Sequence, residues 1–386
     1  MISWGNTASN CAIVGLAALL TREEWRTHPE SERLREPLRT QLANPDETAR
    51  MLASTALPSL VDQEDLSRLL SDRLSSESSP NVREVLVSTL AQHAPIDPDG
   101  IDACLARLAT LPNWAFLAAT PEDRSVPPNK RRNEIGDQLI RVVLYLANVP
   151  EAAFASELVA RWLSEPKKHP ATLGRLIAWS RPHLNPPEDE APIQIRTFKT
   201  FSALANKCLS VIVAAEQHSA SGHNLDDEQV QDLQASAWII HCMAQELYHA
   251  SGAFQTQEQR LQPDLRVVRP GFCSLAFPLI EMLGTFRAAE PAHHLVQTLV
   301  FLSRREPKRA FLAVADIVVL PSGYAAESLA QTEVLDLIDV YLAERRHVIL
   351  DDAECLSALR RILGAFVAVG NDRAIHRVQN LRELFT

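Results

Sequence analysis

The chain has few glycines, and none of them is spaced as a phosphate-binding loop requires. Twelve glycines are scattered over 386 residues, and neither GxxxxGK[ST] nor GxGxxG occurs. Such loops need closely spaced glycines so that backbone N–H groups can approach the phosphates. The segment from Gly271 to Ser274 also lacks the GxSxG pattern of a nucleophile elbow. The sequence therefore favours a non-catalytic protein without a cofactor.

Cysteine pairs and targeting segments are equally scarce. The six cysteines lie far apart and form no CxxC pair, so we expect reduced core thiols rather than disulfides. No Lys or Arg precedes Arg22, and the uncharged run from Asn6 to Thr21 is too short to span a bilayer. These features predict a cytoplasmic protein without a secretion signal or a membrane partner.

Positive charge is also in deficit. The formal net charge is −10, which opposes a general nucleic-acid role because phosphate binding requires clusters of Lys and Arg. Two basic groups are candidate contacts for a partner or a nucleic acid, namely Lys130, Arg131 and Arg132, and the adjacent Lys167 and Lys168. Such runs are also typical of a solvated face. The net negative charge disfavours a nucleic-acid partner.

The sequence does contain helical periodicity, and part of it is repeated. Strand signals are few. Three pairs of equivalent residues lie 32 or 33 positions apart: Leu38 and Leu70, Arg50 and Arg83, Leu57 and Leu90. A constant offset across several positions is typical of a repeated pair of helices.

The second helix of each pair has an apolar stripe and a start signal. In the second copy the stripe includes Leu86 and Leu90, spaced as one helical face requires, and Leu57 is the equivalent of Leu90. Asn44 and Ser79 stand where an N-cap is expected. One pair cannot cover its own stripe, so the copies must stack. We therefore predict that these three leucines are buried between adjacent helices.

The two repeated segments resemble a known repeat family. "NPDETARMLASTALPSL" from Asn44 and "SPNVREVLVSTLAQHA" from Ser79 resemble the second helix of HEAT repeats. The resemblance implies an all-α fold, a HEAT-like helical-repeat α-solenoid in which antiparallel helix pairs form a superhelix. Such repeats serve scaffolds, receptors and a few enzymes, so we predict a scaffold or sensor that binds a protein partner.

The best boundary in the chain is the segment "RPHLNPPEDEAP", which holds four prolines and starts at Arg181. It predicts an N-terminal HEAT-like repeat region, 1–184, and a C-terminal helical repeat region, 195–386. The run from Gly323 to Gly370 also resembles the C-terminal helical region of large bacterial ATP-binding proteins associated with phage defence. This resemblance implies a place in a bacterial antiviral defence assembly.

Two alternatives involve chemistry. Some HEAT-like proteins are DNA glycosylases that grip DNA with basic and aromatic residues, and Trp114 or Trp179 near the basic groups would fit that arrangement. Glu246 and His249 have the ExxH spacing that helical-bundle metal enzymes use, and Glu344 and His347 repeat it. We interpret the first of these pairs as polar members of a packed helix.

The first helix is apolar nearly all round. From Cys11 to Leu20 its sequence contains no charged residue. A helix of this kind is normally buried on all sides, whereas the first helix of a free solenoid should have a polar capping face. The pattern predicts that a partner or the chain's own neighbouring helices cover it.

Overall fold

The computed structural model describes residues 8–20, 22–26, 28–61, 63–123, 134–186, 191–254, 268–320 and 324–381. Within these ranges every regular element is a helix, and no residue lies in a β-strand. The predicted all-α fold is therefore confirmed. The chain divides into two compact units, Met1–Leu176 and Ile177–Thr386. The regions expected from the sequence, 1–184 and 195–386, stay a prediction.

The first unit is built from short helices. Its α-helices are α1 Ala8–Leu20, α2 Glu23–Arg26, α3 Ser31–Gln41, α4 Glu47–Thr55, α5 Leu57–Leu60, α6 Gln63–Ser76, α7 Pro80–His93, α8 Pro98–Leu108, α9 Glu134–Leu146 and α10 Ala153–Ser164. Two 3₁₀ helices, Pro112–Ala118 and Pro166–Lys168, lie between them in the chain. The division between the units falls within the next helix, α11 Pro170–Trp179.

In the first unit, helices that are two or three elements apart in the chain pack on each other. α4 packs on α7 and α7 on α9, while α6 packs on α8 and α8 on α10. The helices of the first two pairs also contact each other, α3 with α4 and α6 with α7. Leu57, Leu86 and Leu90 are fully buried, as predicted from the apolar stripe.

Arg50 and Arg83, which lie 33 positions apart, make the same kind of contact with the backbone. Arg50 Nη1 donates to the carbonyl of Asn44 at 2.8 Å, and Arg83 Nε donates to the carbonyl of Glu77 at 2.6 Å. Each acceptor lies six residues before its arginine. Arg50 also donates to both carboxylate oxygens of Glu77, at 3.1 and 3.2 Å. The second contact links the first helix pair to the second.

One of the two predicted helix caps is wrong. The N-cap of α4 is Asp46, whose carboxylate accepts a hydrogen bond from the N–H of Thr48 at 3.1 Å. Asn44 instead accepts from the N–H of Asp46 at 2.8 Å and so belongs to the preceding turn. Asn and Asp are similarly good caps, and the sequence does not distinguish two such residues so close together. Ser79 caps α7, as predicted, by accepting from the N–H of Val82.

The described residues cover α1 on one side. α1 packs on α3 and α4, and Ile13 and Leu20 are buried there. Val14 is 51% exposed, and Cys11 is exposed as well. The other five cysteines are buried, and all six are free thiols. The idea that a partner covers the outer face of α1 stays a prediction.

The second unit contains longer helices. After α11 they are α12 Arg181–Leu184, α13 Ala191–Ala220, α14 Asp227–Ser251, α15 Pro270–Leu283, α16 Ala289–Leu302, α17 Pro307–Val319, α18 Ser328–Glu344, α19 Arg346–Leu350, α20 Ala353–Ala368 and α21 Asp372–Asn380. A 3₁₀ turn, Tyr324–Ala326, precedes α18. α14 packs extensively on α13 and α16, and α16 packs in turn on α17 and α18.

Among the described residues, one helix is long and apolar enough to cross a bilayer by length and composition. It is the part of α13 from 192 to 220. Its buried side chains, including Phe201, Cys208 and Ile212, follow a single stripe, and α13 packs on α14 and α15. Lys199 and Lys207 lie exposed on the opposite face. This one-sided burial accounts for the apolar composition through packing. The cytoplasmic location stays a prediction.

Candidate binding cleft

A cleft of about 630 Å³ lies in the second unit, where the C-terminal end of α14 meets α16 and α18. Part of its lining is apolar, from Val300, Phe301, Leu337 and Val340. Three carboxylates line it as well, those of Glu333, Asp336 and Glu344. The cleft therefore combines an apolar surface with acidic groups, and its volume is within the usual range of ligand sites.

Helical spacing explains why α18 forms a wall of the cleft. Glu333, Asp336, Leu337, Val340 and Glu344 are separated by the three-residue and four-residue steps that place side chains on one face. Along the helix axis, Glu333 and Glu344 are about 16 Å apart at the usual rise per residue. α18 thus presents to the cleft three turns in which the apolar Leu337 and Val340 lie between acidic side chains at either end.

The end of α14 is fixed by its sequence. The helix starts with a capping box, in which Asp226 and Gln229 exchange side-chain and backbone hydrogen bonds. It stops at Gly252, which has a φ of +89°, a conformation that glycine adopts without a Cβ penalty. Tyr248, in the last turn, and Ala253, just beyond the helix, both line the cleft. The glycine stop therefore determines where this wall ends.

Two cationic groups, Arg304 and Arg345, also line the cleft. Arg345 donates to the carbonyl of Ser303, and the guanidinium of Arg304 lies 5.3 Å from the centre of the Phe301 ring. Of the carboxylates, Asp336 accepts from Arg373 at 2.6 Å. Glu333 accepts from the Gln297 amide at 2.8 Å, which is a neutral donor. The lining thus carries three carboxylates and two guanidinium groups, and its charge is mixed with a small acidic excess.

A cluster of four histidines lies beside the cleft, where α14 packs on α16. His241 and His249 come from α14, and His293 and His294 come from α16. The ring centres of His241 and His294 are 5.7 Å apart, and those of His293 and His294 are 6.0 Å apart. Tyr248 stacks on His294 with ring centres 5.5 Å apart. Tyr248 therefore belongs both to this cluster and to the cleft.

Three histidines of the cluster, His241, His249 and His294, have a lowered pKa. Burial, together with the neighbouring His241, His293 and His249, lowers the pKa of His294 to about 4. Burial also lowers the pKa of His241. The pKa of His249 is lowered by burial and by the nearby Arg181. At neutral pH these side chains are packed aromatic groups rather than cations.

The carboxylate of the predicted ExxH pair is bound by an arginine. Glu246 is 4% exposed, and its two oxygens accept from Arg181 Nε and Nη2 at 2.5 and 3.0 Å. In the second ExxH pair, Glu344 ends α18 and His347 lies in α19, so the two do not share one helical face. In the part of the chain that the structure describes, no group of three or more His, Cys, Asp or Glu is arranged to hold a metal ion.

The predicted basic contact residues are only partly within the described ranges. Lys130, Arg131 and Arg132 lie outside them. Lys167 and Lys168 are half-buried in the 3₁₀ helix that follows α10. Lys168 forms an ion pair with Glu165, which offsets part of the positive charge of this turn. Their role as partner or nucleic-acid contacts stays a prediction.

The two candidate tryptophans differ in exposure, since Trp179 is 38% exposed and Trp114 is buried. Trp114 is 3% exposed, and the guanidinium of Arg83 lies 5.8 Å from its ring centre. Burial raises the pKa of the Cys104, Cys208 and Cys242 thiols to about 12. Since the thiolate is the reactive form of cysteine, these three residues serve as small packing groups.

No family model matches the chain, and no curated protein matches it. The cleft must therefore be interpreted from its own geometry. Sequence reasoning identified Glu246 and His249 as polar members of a packed helix but missed the cleft, Glu333 and the pair His293 and His294. The acidic and apolar spacing of α18 was a visible signal. The sequence does not show which helices lie opposite this face of α18.

Proposed function

We propose that the chain is a non-catalytic, HEAT-like α-solenoid scaffold that binds a protein partner. The repeated contacts of Arg50 and Arg83 support the repeat interpretation, because equivalent side chains 33 positions apart bind equivalent carbonyls. The stacking of α4 on α7 and of α7 on α9 is also what a repeat array requires. A place in a bacterial defence assembly remains part of this proposal.

The observation that carries the partner proposal is the cleft beside α18. Its apolar lining suits the apolar face of an amphipathic helix, which is a common way to bind a partner segment. The row from Glu333 to Glu344 suits basic side chains spaced over about three helical turns. The partner we propose is therefore a protein with an exposed amphipathic helix that carries Lys or Arg beside its apolar face.

Val340 provides a direct test, because it lines the cleft and is 41% exposed. In Val340→Lys, the new ammonium group should occupy the cleft and pair with the neighbouring carboxylates. We expect at least tenfold less partner to be retained by the tagged full-length chain from extracts of its native host, a loss of about 1.4 kcal/mol in binding free energy. Quantitative mass spectrometry measures the retained proteins.

Val213→Lys is the matched control, because Val213 is 46% exposed on α13 and does not line the cleft. It should retain the same proteins as the wild type. The proposal fails if the same proteins are retained by the wild type and Val340→Lys in equal amounts. Retention of nucleic acid that is lost as the salt concentration rises would instead favour the nucleic-acid alternative.

A further inference from the structure

The contact between α14 and α16, called here the histidine seam, gathers an unusual density of titratable rings. Four of the twelve histidines of the chain meet there. His294 is central, since its ring centre is 5.7 Å from that of His241 and 6.0 Å from that of His293. Tyr248 stacks on His294, and His249 lies next to Tyr248, with 5.3 Å between ring centres. Charge on one imidazole would therefore be felt by the others.

The seam offers little to stabilise a positive charge on its central ring, His294, because the charged groups around that ring are other histidines. Three imidazole nitrogens, the Nδ1 atoms of His241, His293 and His294, are buried without a hydrogen-bond partner. The nearest carboxylate oxygens lie beyond hydrogen-bond distance: Glu290 is 3.8 Å from His241, and Glu333 is 3.9 Å from His293. Each of these carboxylates lies beside a different histidine, but a proton on His294 would place like charges close together.

The charged and titratable groups around the four histidines come from five elements of the second unit. They are Arg181 from α12, Cys242, Glu246 and Tyr248 from α14, Glu290 from α16, Tyr324 from the 3₁₀ turn, and Glu333 from α18. Arg181 already binds Glu246, and burial raises the pKa of Tyr324. Glu290 is 78% exposed, so water screens its attraction for an imidazolium.

We propose that the histidine seam is a proton-sensitive joint, which is closed when its imidazoles are neutral and loosens when they bind protons. An imidazole released into water has an ordinary pKa of about 6.5. Because the packed seam lowers the pKa of His294 and His241, the loosened seam binds protons more readily than the closed one. As the pH falls from about 6.5 towards 4, proton binding therefore drives the seam open.

Loosening of the seam would also reshape the candidate cleft. Tyr248 stacks on His294 and lines the cleft, and Glu333 lines the cleft beside His293. The joint would thus make the shape of this surface depend on pH. The inference itself does not depend on the partner proposal, because opening of the seam can be measured on the isolated full-length chain.

Hydrogen exchange measured by mass spectrometry between pH 7.5 and 5.0 tests the joint. Rates are corrected for the intrinsic pH dependence of amide exchange. Between pH 7.5 and 5.0 we expect the opening constant of the amides in α14 and α16 to rise about tenfold more than that of the amides in α20. This factor allows for partial screening of the seam by solvent. α20 contains no histidine and serves as the reference within the same unit.

Substitutions identify the groups responsible. His294→Gln removes the central titrating ring and should reduce the additional acid-induced opening at least threefold. His376→Gln is the matched control, because His376 is exposed in α21, and it should behave as the wild type. If His294→Gln does not fold, His241→Gln tests the same expectation. Equal protection changes in the seam and α20, or an unchanged pH dependence in the folded seam variant, would overturn the inference.

Discussion

Leu86→Asp should unfold the first unit under conditions in which the wild-type chain remains folded. Leu86 is fully buried in α7, which packs on α4, α6 and α9. Loss of its burial costs roughly 1.5 to 3 kcal/mol, and an unpaired carboxylate in an apolar contact adds about 1 to 3 kcal/mol or more. The expected loss in the free energy of unfolding is about 4 kcal/mol, enough to lower the melting temperature by about 10 °C.

Ile96→Asp is the matched control for this experiment. Ile96 is an aliphatic residue of the same unit but is 55% exposed, so its substitution should change stability by no more than about 0.5 kcal/mol. Thermal unfolding followed by circular dichroism distinguishes the two variants. A melting temperature of Leu86→Asp within error of the wild type would show that α7 is not packed in the repeat as described.

Removal of Glu77 should produce the second large loss of stability. The Glu77 side chain is 3% exposed and lies between Arg50 and Arg73, which are 16% and 19% exposed. It also accepts hydrogen bonds from the N–H groups of Ser78 and Ser79. In Glu77→Ala two partly buried guanidinium groups lose their shared carboxylate, and breaking such a pair costs about 3 kcal/mol. Chemical denaturation measures the loss.

Two comparisons make the Glu77 test specific. Glu157→Ala, on an exposed site of α10, should leave stability almost unchanged. A double-mutant cycle with Arg50→Met should give a coupling energy of about 1 to 3 kcal/mol. A coupling energy near zero would contradict the link between the first and second helix pairs.

The effect of Glu77→Ala should also depend on pH. Burial alone would raise the pKa of Glu77, but the Ser79 N–H and Arg50 together hold it below its ordinary value. A carboxyl with a lowered pKa in the folded state stabilises the protein fully above its unfolded pKa, near 4.5. That stabilisation is lost as the pH falls through the lower, folded value. The difference between wild type and variant should therefore shrink below pH 4.5.

Local periodicity was enough to predict the helices and their buried faces. Leu57 and Leu90 were assigned to the core from helical spacing alone, and the equivalence of Arg50 and Arg83 followed from a constant offset. These features are encoded within about sixty residues of sequence. The cap of α4 was misplaced by two residues, since Asn44 and Asp46 have the same preference for that position.

The cleft and the histidine seam depend on contacts between residues that are far apart in the chain. His241 and His294 are 53 positions apart in the chain, and their proximity follows from the packing of α14 on α16. No short-range pattern determines which face of a helix meets which neighbour. The spacing from Glu333 to Glu344 could predict a mixed acidic and apolar face, but not that this face borders an open cleft.

Site-specific photo-crosslinking tests the central claim, a protein partner in the cleft beside α18, most directly. A photoreactive amino acid is placed at Val340 in the full-length chain and expressed in the native host, with the same substitution at Val213 as the control. The account predicts a crosslink from position 340 to an amphipathic, Lys-rich or Arg-rich segment of one protein, absent from position 213. Crosslinking at position 340 that does not exceed the level at position 213 would contradict it.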